Sequence, residues 1–146
     1  MPRQSGSVGK RKSRAGLTLL GRKVRQAPTS PDKARLETFA NAYPRRDYRI
    51  HFDCPEFTSL CPITGQPDFG VMSIDYIPDR RCLESKSLKL YLFSFRNYET
   101  FHEEVVNRIL DDLVKVCRPR EARVTGTFNP RGGISLTITV DYPPPR

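Results

Sequence analysis

The chain has 146 residues, long enough for one compact domain and too short for two of ordinary size. Its hydrophobic fraction of 37% can build a core, but no stretch approaches the ~18 consecutive apolar residues of a membrane-spanning helix. The net charge of +9 suggests nucleic-acid binding only until it is divided by position. Residues 1–26 carry Arg3, Lys10, Arg11, Lys12, Arg14, Arg22, Lys23 and Arg25 and no acid, which leaves the remaining body almost neutral.

The Ser-, Gly- and basic-rich start therefore reads as a solubilising arm, disordered over residues 1–15, with a single catalytic domain over residues 16–146. No apolar run sits ahead of a cleavage site, so no secretory leader is expected. Cys54, Cys61, Cys82 and Cys117 are then expected as reduced thiols in a cytoplasmic protein. Residues 16–46, opening on the apolar patch Gly16-Leu-Thr-Leu-Leu20, read as a connector that lies partly against the domain.

Tyr48, Ile50 and Phe52 alternate with polar neighbours, which predicts a half-buried strand over residues 47–53. Residues 54–69 hold three prolines and little periodicity, and read as a long loop. Residues 70–77 predict a second strand, stopped by Pro78. From Ser85 the period changes, and good helix formers behind Glu84-Ser85 predict a first helix. A second helix is expected over residues 99–117, with Phe101, Val105, Ile109, Leu113 and Val116 inward and a cap from Thr100 with Glu103 or from Asn97; Pro119 ends it. Residues 122–128 and 134–140 alternate as strands around the turn Asn129-Pro-Arg-Gly-Gly133. The order ββααββ implies an α+β fold, an antiparallel four-stranded sheet with two helices on one face. Its open edges invite pairing with further copies.

Zinc is disfavoured: there is no Cys-x-x-Cys pair, and Val106 stands where His102-Glu103 would need a second histidine. A serine-hydrolase elbow, a P-loop and a dinucleotide-binding glycine fingerprint are likewise missing from the sequence. Residues 54–69 are a better place to look. Cys61 and Asp68 there could serve as thiolate nucleophile and proton donor on one substrate atom. Lys86 and Lys89, three apart on one helix face near free backbone amides, would suit a phosphorylated cofactor. The Glu103 carboxylate could accept two hydrogen bonds from a guanine-like edge, or could simply cap its helix.

Glu84-Ser-Lys-Ser-Leu-Lys-Leu-Tyr91, with Ser-Phe-Arg-Asn97 and Phe101-His-Glu103 after it, resembles the signature of the QueF-type nitrile reductases. So do Glu56-Phe-Thr-Ser-Leu-Cys61-Pro-Ile-Thr-Gly-Gln-Pro-Asp68-Phe and Pro130-Arg-Gly-Gly-Ile134, and the resemblance runs from about Gly16 to Tyr142. The resemblance implies a tunnelling fold whose ββααββ units join into a homo-oligomeric barrel. It implies NADPH-dependent reduction of 7-cyano-7-deazaguanine to the 7-aminomethyl base, on the route to the tRNA nucleoside queuosine. Cys61 would be the nucleophile and Asp68 the proton donor, with His102 also at the catalytic centre. Leu83, Glu84, Ser85, His102 and Glu103 would hold the base, and Lys86, Lys89, Tyr91 and Arg131 the cofactor. Neither a membrane nor a direct nucleic-acid partner is implied.

Such a mechanism runs through a covalent thioimide on Cys61, and the four-electron reduction consumes two hydrides. Two other readings stand beside it: a GTP cyclohydrolase or pterin-type enzyme of the same fold, and an RNA-binding module built on the arm. Cys54, seven residues from Cys61, is expected to trap it as an inactivating disulfide under oxidation.

Overall fold

The computed structural model describes residues 16–21, 23 and 26–146; the expected disorder of residues 1–15 lies outside them. Eight elements follow in order: β1 (Thr38–Ala40), β2 (Ile50–Leu60), β3 (Pro67–Ile77), β4 (Arg81–Leu83), α1 (Ser85–Phe93), α2 (His102–Cys117), β5 (Glu121–Arg131) and β6 (Ile134–Tyr142). The long strands form an antiparallel sheet in the order β2-β3-β5-β6, and β1 pairs with β4 in a separate two-stranded sheet that the sequence pattern did not show. The α+β class and the ββααββ order of the main elements are as expected. No helix among the described residues is long and apolar enough to cross a membrane.

The expected loop over residues 54–69 is instead most of a long hairpin. β2 and β3 pair from Ile50 with Tyr76 to Leu60 with Pro67, and only residues 61–66 turn between them. Proline masked the strands: Pro67 opens β3, where no ladder donor is required, and Pro55 sits at a bulge. At that bulge Cys54 pairs with Met72 but Phe57 with Gly70, so one extra residue enters β2. The inward face switches with it, from Ile50, Phe52 and Cys54 to Phe57 and Ser59.

Both helices cover one face and share a single core with it. Met72, Ile74, Tyr76, Val124 and Phe128 from the sheet meet Leu88, Tyr91 and Phe95 from the first helical region, and Val105, Val106, Ile109 and Leu113 from α2. Gly126 sets the approach of α2, because a Cβ there would lie 2.6 Å from Val106 Cγ2. Helix α2 starts later than expected, and Phe101 stands exposed at its cap position rather than inward. Its cap also differs: Glu104, not Glu103, reaches back to the Phe101 amide at 3.4 Å. The helix ends with Arg118 in the left-handed region (φ 46°), followed by Pro119.

The connector does rest on the domain. Glu37, only 4% exposed, accepts from the Thr18 and Leu19 amides, and Lys86 Nζ donates to Leu19 O at 2.6 Å.

Candidate active site

Cys61 begins the turn between β2 and β3. Its amide donates to Gln66 O at 2.9 Å and its carbonyl accepts from the Gly65 amide at 2.8 Å, with Gly65 at φ 69°. The shift at the Pro55 bulge gives the positions leading into Cys61 the same inward parity as Phe57 and Ser59. Across the hairpin Asp68 pairs with Ser59, which puts both on the helix-facing side. The chain after α1 then closes the corner: the Leu60 amide donates to Tyr98 O at 3.0 Å and the Thr100 amide to Leu60 O at 3.1 Å. That docking, extended by a parallel bridge from Leu60 to Glu99, delivers the first turn of α2 to the end of β2.

His102 opens α2 there. Its ring stacks on Phe128 with centroids 3.8 Å apart and planes 8° from parallel. His102 Nε2 lies 3.2 Å from Asp68 Oδ2, a close approach whose angle forms no hydrogen bond. The other Asp68 oxygen accepts from Arg131 Nη1 at 2.5 Å. Asp68 is buried, so this ion pair supplies the charge partner that a desolvated carboxylate requires. The Cys61 thiol is half-exposed and is pulled down to about 7, chiefly by the Thr64 hydroxyl and then by the Thr64 and Ile63 amides, against the opposing effect of desolvation, with the Arg131 guanidinium adding the smallest contribution. Cys61, Asp68, His102 and Arg131 therefore meet at one corner. Glu103 is exposed beside them, and its carboxylate has no partner among the described residues.

Thr64 escaped sequence reasoning. A hydroxyl three residues after a cysteine signals nothing until the turn is known to fold back on the sulfur.

The other expected site residues lie elsewhere. The Leu83 amide donates to the Tyr76 hydroxyl at 2.9 Å, at the far end of β3. Tyr76 and Asp68 are separated by roughly 26 Å at ~3.3 Å per strand residue. Glu84 caps α1, its carboxylate accepting from the Lys86 and Ser87 amides at 2.7 and 2.8 Å. The helix start is consequently no open anion site, because the amides expected to be free are taken. Tyr91 is only 2% exposed, and its hydroxyl donates to Asp112 Oδ2 at 2.6 Å. Ser85 and Lys89 are exposed at the rim of a cavity of about 350 Å³ floored by Phe52, Leu88, Leu92 and Phe93. The expected Cys54–Cys61 disulfide fails on distance. Seven residues of nearly extended strand put the two roughly 20 Å apart, while a disulfide needs Cα atoms within ~7 Å.

Residues 67–146 match the signature of the QueF-like protein family. Among curated proteins the chain is 56% identical over 126 residues to the NADPH-dependent 7-cyano-7-deazaguanine reductase of Bacteroides thetaiotaomicron, covering 86% of this chain and 83% of that one. It is 54% identical over 118 residues to the same-named protein of Nitrosococcus oceani, covering 81% and 91%. Among solved structures it is similar to an archaeosine synthase QueF-Like in the apo form, with a TM-score of 0.57 at 24% identity over 64% of this chain and 90% of that one, a likeness of fold. A signature spanning more than half of the chain, and relatives this similar over most of their length, show that the chain belongs to the QueF-like protein family.

Proposed function

We propose that this protein is an NADPH-dependent reductase that converts 7-cyano-7-deazaguanine to the 7-aminomethyl base in queuosine biosynthesis, with Cys61 as covalent nucleophile. The names of its relatives support the substrate and cofactor. The observation that supports the mechanism is the corner itself, where the turn that begins at Cys61 meets Asp68, with His102 and Arg131 on its two oxygens.

A nitrile carbon is electrophilic but resists direct reduction, and a thiolate bonded to it leaves a C=N bond that is easier to reduce. Asp68, held by Arg131 in the Cys61 corner, is the group placed to relay the thiol's proton. It therefore takes the Cys61 proton first. As the C–S bond forms and an electron pair moves to nitrogen, Asp68 passes that proton on. Thiol and nitrile combine to a neutral thioimide with no net proton gained or lost. The unpartnered Glu103 carboxylate accepts from the N–H edge of the base. A ring lacking those donors would leave the carboxylate unpaired, which gives selectivity. His102, fixed against Phe128, borders the same space and helps exclude water.

The residues present fit the cofactor: exposed Lys89 stands over an apolar-floored cleft with Lys86 one turn away, and these two would hold its phosphates. When bound, NADPH supplies the hydride.

Leu83 is hydrogen-bonded to the Tyr76 hydroxyl at one end of β3, about 26 Å along the strand from Asp68 at the other. We infer that each site takes the Cys61 corner from one copy and Leu83–Ser85 from another, in a homo-oligomer joined through the open edges β2 and β6.

The test is intact mass after mixing with 7-cyano-7-deazaguanine and no NADPH. A covalent adduct is expected on the native chain and none on Cys61→Ala. An adduct surviving in that variant removes Cys61 from the role.

A further inference from the structure

We propose that Glu37 is a latch that holds Leu17–Leu20 down as one wall of the Leu83–Ser85 half-site, so that part of the connector belongs to the binding site for the base. This rests on the reading of Leu83–Ser85 as contacts to 7-cyano-7-deazaguanine, and adds to them a residue and a segment that carry no motif.

The backbone of Glu37 is fixed to the rim of that half-site. Its carbonyl accepts from the Glu84 amide at 2.9 Å, and its amide donates to the Ser87 hydroxyl at 2.9 Å. The next residue, Thr38, pairs with Leu83 between β1 and β4. The carboxylate is given to the connector instead. The Thr18 amide reaches its two oxygens at 3.0 and 2.9 Å, the Thr18 hydroxyl donates to Oε1, and the Leu19 amide lies 3.3 Å from Oε2. Among the described residues, every donor to this carboxylate comes from Thr18 or Leu19. Lys86 Nζ adds a second fastening from α1 through Leu19 O.

Apolar packing alone would not require such an arrangement. A carboxylate only 4% exposed is costly to bury unless hydrogen bonds replace its water, and these bonds exist only while the segment is down. Lifting the segment breaks them together, which makes the closed position a defined state. On either side of the latch, Leu17 and Leu20 join Phe39, Phe52, Leu83 and Ser85 around a cavity of about 370 Å³. Phe52 and Ser85 also border the cleft beneath Lys89. The two hollows therefore meet at Ser85, and the segment closes one end of the trough they form. Leucine and phenylalanine walls with a polar helix start at the rim suit a flat, bicyclic ring.

The experiment is calorimetric titration of 7-cyano-7-deazaguanine into the full chain carrying Cys61→Ala, which blocks bond formation and leaves binding. Amide hydrogen exchange of the peptide containing Thr18 and Leu19 is read on the same protein. Adding Thr18→Val, at an exposed position, removes one donor to the carboxylate at nearly constant shape. It should speed exchange in that peptide and weaken base binding by about tenfold, the scale of one hydrogen bond to a charged group. Glu37→Gln should do the same, and Thr18→Ser, which keeps the hydroxyl, should restore both slow exchange and affinity. Exchange as slow in Thr18→Val as in its parent overturns the latch, and so does a Thr18→Ser protein that behaves like Thr18→Val. Faster exchange with undiminished affinity overturns the wall. A parent that gives no binding heat with Thr18 intact overturns the substrate reading and the proposal with it, an outcome distinct from the other three.

Discussion

At Cys61 the same donors serve two opposite needs. A sulfur stabilised as thiolate attacks near neutral pH and also leaves readily, and a covalent intermediate that must form and be released needs both. The same chemistry exposes it to peroxide. No other thiol of the chain can reach it: Cys54 lies far up β2, and Cys82 and Cys117 are buried. Oxidation should therefore climb past the sulfenic acid. We expect lost activity that dithiothreitol does not restore, a mass gain of two oxygens at Cys61, and equal sensitivity in Cys54→Ser. Reversal by dithiothreitol abolished in Cys54→Ser would instead demand a contact that the strand forbids. The residue types at Cys61, Asp68, His102 and Glu103 announced their chemistry in the sequence. Glu84 and Tyr91 did not announce theirs, because whether a carboxylate binds a ligand or caps a helix depends on which amides it meets.

Among the elements, the helices were legible because α2 repeats its apolar residues at helical spacing, and a neighbouring core confirms the face. The hairpin was hidden because prolines and a bulge interrupt the alternation that marks a strand. That bulge matters for function. Paired in plain alternation without the bulge, the same residues would pass the inward parity from Phe57 and Ser59 to Thr58 and Leu60, and the turn would present Cys61 to the opposite face. Helix α2 is placed with comparable care by Gly126. Gly126→Ala should push Val106 outward, costing about 1–3 kcal/mol in denaturant unfolding and displacing His102 with its helix. Unaltered stability would mean that α2 has slack which the 2.6 Å approach denies.

For the whole molecule, the separation of Leu83–Ser85 from Cys61 predicts complementation. Cys61→Ala and Ser85→Trp should each be inactive alone, the first for want of a nucleophile and the second because an indole fills the rim. Co-expressed, they should recover part of the native activity, because some sites then combine two intact halves. Activity in the mixture no higher than in either variant would place the whole site within one chain. The order of the elements along the chain was readable from the sequence; the distance between the two halves was not, because it depends on how far β3 runs.

The same span has a consequence for inheritance. In the proposed shared-site assembly, a chain damaged in both halves would spoil two sites, lending its bad corner to one neighbour and its bad rim to another. In a cell making sound and faulty copies together, working sites would then fall as the square of the sound fraction, and a variant harmless in trace amounts would become dominant at parity.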